Sequence, residues 1–242
     1  MIGKRKVILV GTGFVGMSMA YALLNQGNAS GVNELVLIDV LKDKAEGEAM
    51  DLCHGLPCSP SHMKIKSGEY SECKDADIVV ITAGLSQKPG QTRLELSNAN
   101  AKIMKNITEQ VIASGFKGIF LVASNPVDLM TKVVQEVSQF PTRKVIGSGT
   151  ALDTCRLRYL VGDYLNVSNK NVHAYIMGEH GDSSFVPWDH AYVGCKKIKD
   201  IIKDAKKDLS VLDKIYVEVR DAAYEIIEKK KATYYGIGLG LA

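Results

Sequence analysis

Apolar positions follow two rhythms along the chain. Short unbroken runs, KVILV (6–10), ELVLID (34–39), DIVVIT (77–82), GIFLVA (118–123) and KVIG (144–147), are bounded by turn residues, and MKIKS (63–67) is a weaker run of the same kind. Runs this short and this rich in Val and Ile predict strands covered on both faces, as in a parallel sheet. Between them lie FVGMSMAYALLNQG, KDKAEGEAMDLCHG, ELSNANAKIMKNITEQVIASG and PVDLMTKVVQEVSQF. These are helical in period, and they stop at Gly or before Pro. The alternation predicts an α/β fold: a doubly wound parallel sheet with helices on both faces.

The rhythm changes after residue 147, which sets a first domain at 1–147 and a second, smaller α+β domain at 148–242. In the second, TALDTCRLRYLVGDYL predicts a helix, VHAYIM a strand, and the stretch from about Leu209 a helix that runs past thirty residues into GIGLGLA. That last helix has neither a cap nor a polar close, so a C-terminal continuation is expected.

Composition narrows the function classes. With 30 Lys and Arg against 27 Asp and Glu, the net charge of +3 gives no electrostatic case for nucleic acid or an anionic membrane. The first apolar run is too short to span a bilayer and meets a glycine turn in place of a cleavage site, so no membrane and no export are expected. Five cysteines without a CxxC spacing fit reduced thiols in a cytoplasm. Cys53, His54, Cys58 and His62 are the one group with metal-ligand chemistry, but no second pair at a usual spacing accompanies them, and no metal is expected.

GTGFVG (11–16) follows the first strand and opens the first helix. In that context Gly11 permits a tight turn, Gly13 lets a backbone approach a pyrophosphate, and Gly16 lets the helix close on the sheet. Asp39 ends the second strand, where a carboxylate accepts from ribose hydroxyls and repels a 2′-phosphate, by about 4 kcal/mol for unit charges near 4 Å at an effective dielectric of 20. The pattern predicts a Rossmann domain that binds NAD in preference to NADP. Methyltransferase-like sheets are the rival reading of the same turn.

Of the five histidines, His180 sits in IMGEHGDSSF between glycines that expose it. Oxidation of an alcohol needs a base near neutral pH, and imidazole suits that. A turn histidine without chemistry is the alternative. In LDTCRLR (152–158), Asp153 and Arg156 are three apart and share a helix face. Arg suits bidentate capture of a carboxylate, and Asp suits holding an imidazole in one tautomer. The same spacing is also that of an ordinary intrahelical ion pair.

Taken in order, GTGFVG, LVLID, TAGLSQKPGQTRLEL, VASNPVD, LDTCRLR, NVHAYIMGEHGDSSF and KKATYYGIG resemble the L-lactate and malate dehydrogenases, and among them the allosteric bacterial L-lactate dehydrogenases. The resemblance covers essentially the whole chain and implies that the family continues beyond its last residue. It implies hydride transfer between NADH and pyruvate, with His180 as proton acceptor from L-lactate and donor to pyruvate. Asp153 would orient His180, Arg156 would anchor the substrate carboxylate, and Arg93 would polarise the carbonyl. Asn125 would touch cofactor and substrate, and Thr233 would line the substrate pocket. Gly11, Gly13, Val15, Gly16, Asp39, Ala83 and Gly84 match cofactor positions, and Lys44, Tyr70, Asn106 and Ala123 are further cofactor contacts. Arg158 and His173 would bind fructose 1,6-bisphosphate between subunits of a homotetramer.

The stretch AGLSQKPGQTR (83–93) is longer than most connections in compact domains, and its glycines and proline suit a lid. Gln87 separates the two substrates. Oxaloacetate carries a second carboxylate, for which the malate enzymes have Arg at this position, and a neutral amide would leave that charge unpaired at a cost of several kcal/mol. Pyruvate is therefore the expected substrate. The alternatives are a malate dehydrogenase and an NAD-binding fragment without turnover.

Overall fold

The computed structural model describes residues 5–85 and 93–242, without the side chains of Asn28 and Arg93. Contacts group the chain into two compact units, one of residues up to Ser148 together with Tyr234–Ala242, the other of Gly149–Thr233.

The first unit is built on a parallel sheet of β1 (Arg5–Val10), β2 (Val32–Ile38), β3 (Lys64–Ser67), β4 (Ile78–Ile81), β5 (Ile119–Val122) and β6 (Val145–Gly147). The strand order is β3-β2-β1-β4-β5-β6, all neighbours parallel. This is the Rossmann order, in which the chain reverses its direction of travel between β1 and β4 and opens a crevice at the carboxyl ends of those strands. Helices α1 (Phe14–Gln26) and α2 (Lys42–Gly55) cover one face, α3 (Arg93–Ala113) and α4 (Val127–Ser138) the other.

Side chains of β1 explain why its sequence is apolar without alternation. Val7 and Leu9 pack with Met19 and Leu23 of α1 and with Ala45 and Ala49 of α2. Ile8 and Val10 point the other way and pack with Met104, Ile107 and Val111 of α3 and with Met130 and Val134 of α4. Each strand residue is buried whichever way it faces, so every position is apolar.

The second unit contains α5 (Ala151–Leu165), the short strands β7 (Val172–His173), β8 (Tyr192–Val193) and β9 (Lys196–Lys197), then α6 (Ile198–Asp204) and α7 (Ser210–Lys230). Its antiparallel sheet runs β7-β8-β9, and its core joins Leu157 and Val161 of α5 to Ile198 and Ile202 of α6 and Leu212, Ile215 and Val219 of α7.

Two expectations are corrected. VHAYIM is a strand for only two residues, although Ala174 and Ile176 are buried while His173, Tyr175 and Met177 are exposed. Its backbone is satisfied by α5 in place of a ladder: Thr150 Oγ1 donates to the Ile176 carbonyl at 2.7 Å, the Ile176 N–H to Thr154 Oγ1 at 2.9 Å, and Arg158 Nε to the Ala174 carbonyl at 3.1 Å. The final helix is not continuous either. Lys231 turns left-handed at φ 69° and caps α7, its N–H bonded to the Ile227 carbonyl, after which α8 (Tyr235–Leu241) starts afresh. By its contacts Tyr234–Ala242 groups with the first unit. Gly238 is what lets α8 lie on α1: a Cβ there would come within 2.5 Å of Ser18 Cβ and 2.8 Å of the Ser18 carbonyl carbon. Phe14 and Tyr234 stack above this contact, ring centroids 5.0 Å apart.

At the amino end of β1, buried Lys6 binds Glu72 at 2.8 Å and Asp75 at 2.7 Å, and its own N–H donates to Asp77 Oδ2. The Lys6 ammonium holds the Glu72 and Asp75 carboxyls below their usual range, with Lys66 assisting at Glu72. A depressed folded-state pKa gives stability that is present above the unfolded value, about 4.3 for Glu, and lost as pH falls through the folded one. Lys6→Met, with Glu72 half-exposed, is expected to cost about 1–2 kcal/mol at pH 7. In urea titrations that difference from the parent should shrink steadily below pH 4; a difference independent of pH would contradict the assigned cause.

Candidate active site

The cofactor side is assembled at the carboxyl ends of β1, β2, β4 and β5. Gly11 has φ +103°, and a Cβ there would sit 2.6 Å from the Ala83 amide nitrogen, so only glycine fits against the end of β4. At Gly16 a Cβ would lie 2.2 Å from the Gly11 carbonyl oxygen, which holds α1 hard against the turn. Gly13 differs: nothing lies within 4 Å of where its Cβ would be, so the turn presents bare backbone to open space. It caps α1 without any side-chain hydrogen bond, which leaves the first-turn N–H groups, that of Val15 among them, to meet an anion.

Asp39 follows β2 and is bound on both oxygens. Oδ2 accepts from the Thr12 N–H at 2.7 Å and the Thr12 hydroxyl at 3.0 Å, and Oδ1 from the Leu41 N–H at 3.0 Å. Burial works against the charge, but these bonds and nearby Lys44 prevail and hold the carboxyl below its ordinary range. An Asp39 that stays ionised accepts from ribose hydroxyls and repels a 2′-phosphate. Lys44 is drawn to the same turn, its Nζ donating to the Thr12 carbonyl at 2.5 Å. Tyr70 packs beside the sheet, and burial pushes its phenol up to about 12, so it remains a neutral hydrogen-bonding group. The open glycine turn, the uncapped helix and the ionised acid fit an NAD-type dinucleotide.

Ala83 and Gly84 follow β4, and Ala123 follows β5, its N–H donating to the Ile81 carbonyl at 2.9 Å. Asn125 is exposed. Asn106 faces solvent on α3, its amide oxygen accepting from Gln110 at 2.8 Å. Arg93 is the first residue of α3. Gln87, with Lys88, lies outside the described residues.

The second unit brings three predicted residues together. Asp153 on α5 accepts from Arg156 Nη1 at 3.0 Å through Oδ1 and contacts His180 Nδ1 at 2.6 Å through Oδ2. The expected i, i+3 pair is therefore present, and a histidine 27 residues away completes it. The Asp153 side chain is 11% exposed and that of His180 33%, so a buried acid supports a partly open imidazole. A carboxylate at Nδ1 keeps a proton there, which in the neutral ring puts the lone pair on Nε2. Arg156 is 13% exposed and gives Nη1 of its fork to Asp153, so the rest of the fork can meet an anion.

The histidine stands on a loop closed at its base by Met177 and Phe185, which exchange both backbone hydrogen bonds at 2.9 Å. Tyr216 of α7 ties the loop from outside, its hydroxyl donating to the Ser184 carbonyl. A cleft of about 100 Å³ lies here, lined by Asp153, Arg156, His180, Tyr216 and Arg220 among others, a size for a small molecule. Thr233 is half-buried and precedes α8 in the chain. Arg158 stacks on Tyr175, 4.7 Å from its ring, and His173 is exposed.

Sequence reasoning missed Thr12, Asn100 and Ser124. Ser124 is buried and donates to the Ala83 carbonyl at 2.6 Å, and Asn100 is buried on α3. Among the described residues no three His, Cys, Asp or Glu side chains gather as a metal site; Cys53 instead donates its thiol to the Ile65 carbonyl at 3.3 Å.

Comparison with known proteins places this geometry. Residues 5–147 match the NAD binding domain of the lactate/malate dehydrogenases, and residues 150–242 match their alpha/beta C-terminal domain. The chain belongs to the lactate/malate dehydrogenase family. An L-lactate dehydrogenase 2 of Bacillus cereus is 56% identical over 240 residues, which are 99% of this chain and 76% of that one. An L-lactate dehydrogenase 1 of Bacillus anthracis is 54% identical over the same length. Among solved structures, a lactate dehydrogenase from a Medee basin deep-sea metagenome library superposes with a TM-score of 0.95 at 56% identity, covering 98% of this chain and 75% of that one. The minor L-lactate dehydrogenase from Enterococcus mundtii in its ligands-bound form gives 0.94 at 51% identity, with the same coverage. For a lactate/malate dehydrogenase, NAD is the cofactor, and the glycine turn with Asp39 is where this chain carries the means to hold it.

Proposed function

We infer that the chain catalyses the L-lactate dehydrogenase reaction, reversible hydride transfer between NADH and pyruvate that yields L-lactate and NAD⁺. The observation that carries this reading is Asp153 holding His180 on one oxygen and Arg156 on the other. One buried acid thus sets a proton carrier and a carboxylate fork side by side, the two groups a 2-keto acid needs.

Bound NAD(H) supplies or accepts the hydride. Gly11, Gly13 and Gly16 shape the turn for its pyrophosphate, with Val15 in the first turn of α1, and Asp39 takes its ribose. Lys44, Tyr70, Ala83, Gly84, Asn106, Ala123 and Asn125 are further contacts in this reading. Arg156 fixes the pyruvate carboxylate. His180, protonated, delivers the Nε2 proton to the carbonyl oxygen, and Asp153 stabilises the imidazolium before transfer and the Nδ1–H tautomer after it. Arg93 meets the negative charge that develops on the same oxygen. Asn125 and Thr233 contact the substrate, and Gln87 leaves no cation for a second carboxylate. In the lactate direction each proton step reverses, with Nε2 as acceptor.

Arg158 and His173 form the effector site in this reading. Cations that face their symmetry mates repel, and fructose 1,6-bisphosphate relieves the repulsion, so the ligand favours a closed homotetramer. Free cysteines among the described residues and the absence there of a helix long and apolar enough to cross a membrane suit work in a cytoplasm, in fermentative glycolysis.

The test is NADH oxidation followed at 340 nm with pyruvate and with oxaloacetate, each with and without fructose 1,6-bisphosphate. Pyruvate should give the higher kcat/KM, and the bisphosphate should lower its KM and favour the larger assembly in sedimentation. Faster oxaloacetate turnover would favour the malate reading. NADH binding without turnover of either acid would identify a binding protein, and a bisphosphate without effect would remove the regulatory part alone.

A further inference from the structure

Asn100 lies on α3 and is 2% exposed, a polar side chain on the helix face that otherwise buries Met104, Ile107 and Val111. Its amide bonds two backbone segments. Oδ1 accepts from the Leu85 N–H at 2.8 Å, and Nδ2 donates to the Leu85 carbonyl at 3.3 Å and to the Asn125 carbonyl at 2.9 Å. Leu85 follows the end of β4 and Asn125 the end of β5, so one amide joins the carboxyl ends of adjacent strands. Ser124 adds a second tie between the same segments through its hydroxyl bond to Ala83. Gly84 closes against the cluster, a Cβ there falling 3.5 Å from Asn100 Oδ1.

A buried amide that only filled space would be replaced by Leu without loss, since an apolar side chain avoids the desolvation cost. Asn100 instead bonds the main chain of Leu85 and of exposed Asn125. We propose that Asn100 is a positioning residue for the reaction, which fixes the Asn125 main chain against the end of β4 and so sets the direction of the Asn125 side chain. The inference rests on the reading of Asn125 as a contact for cofactor and substrate. It also gives α3, the helix that Arg93 begins, a rigid attachment to the strand ends two turns further along.

The two ends of the amide can be separated chemically. Asn100→Asp keeps an acceptor for the Leu85 N–H but sets a carboxylate oxygen against the Asn125 carbonyl. Burial raises the pKa of such a carboxyl, and once protonated it can donate to that carbonyl. Pyruvate kcat for Asn100→Asp should therefore be about 10- to 100-fold below the parent at pH 8, the cost of a misplaced contact residue, and should recover toward the parent as pH falls to about 5.5. Asn100→Ala should show a comparable loss without recovery. Hydrogen exchange at the Leu85 amide gives a readout independent of turnover: protection is expected in Asn100→Asp and lost in Asn100→Ala.

An Asn100→Asp deficit that does not narrow at low pH, with Leu85 still protected, would overturn the proposal, as would Asn100→Ala with parental kcat. Asn125→Ala measured beside them tests the reading underneath. If it keeps parental turnover, that reading fails; if it loses turnover while the Asn100 variants do not, the positioning role alone fails.

Discussion

His180→Ala is expected to lower kcat for pyruvate reduction by about 10²- to 10⁴-fold, the usual contribution of a positioned general acid. NADH affinity, followed by fluorescence titration, should stay within about twofold, because Asp39 and Lys44 are bonded to Thr12 of the glycine turn and none of these bonds involves the histidine. Asp153→Asn is the sharper companion. The carboxylate now accepts at Nδ1 and balances an imidazolium; an amide does neither well, and by donating to Nδ1 it would move the ring proton to Nε2, where the acceptor for lactate is needed. With the imidazolium less stable, the alkaline fall-off of pyruvate reduction should begin at lower pH than in the parent. The same change also loosens Arg156, so KM for pyruvate should rise in Asp153→Asn and not in His180→Ala. Equal KM changes in both would show that Asp153 does not hold the two groups independently.

How much of this was legible in the sequence depends on how local each cause is. The strands of the first unit could be read because a sheet covered on both faces makes every strand residue apolar, as Val7 to Val10 are. GTGFVG could be read because the turn, the backbone approach and the helix contact all fall within six residues, and the structure gives Gly11 and Gly16 separate steric reasons while Gly13 faces open space. Asp153 and Arg156 were visible through helical period alone. By contrast VHAYIM kept the alternation of a strand while its backbone was satisfied by Thr150, Thr154 and Arg158, residues whose relevance only folding reveals. The break at Lys231 was hidden because a lysine occupies the left-handed position where glycine is the usual signal.

Asn100 and Thr12 were missed for a related reason. Both act on partners far away in the chain, Asn100 on backbone 15 and 25 positions distant and Thr12 on the Asp39 carboxylate, 27 positions distant. Asn100 did leave a trace, as the polar member of the spacing Asn100, Met104, Ile107, Val111, in which the other three are buried and apolar. A polar residue on the buried stripe of an amphipathic helix needs a partner, and near the carboxyl end of a Rossmann sheet that partner is at the site. Thr12 left none, since any residue can stand between the first two glycines of such a turn.

Gln87→Arg should shift the ratio of kcat/KM for pyruvate over oxaloacetate toward oxaloacetate by about 100-fold or more. The residue lies outside the described part of the chain, so the expectation rests on charge. The two substrates share the 2-keto acid group that Arg156 and His180 are proposed to handle, and they differ by one carboxylate. Enclosed beside a neutral amide that carboxylate costs several kcal/mol, and each 1.4 kcal/mol is a factor of ten. A guanidinium pairs with it bidentately, while for pyruvate it leaves a cation facing a methyl group, so the variant should gain on one acid and lose on the other. Lys88 is the competing explanation: if it already faced the second carboxylate, the parent would turn over oxaloacetate well and Gln87→Arg would add little. Lys88→Met separates the cases, because it should leave the parental ratio unchanged when position 87 sets specificity. An unchanged ratio in Gln87→Arg, with pyruvate turnover intact, would remove Gln87 as the discriminating residue and leave the roles of His180, Asp153 and Arg156 standing.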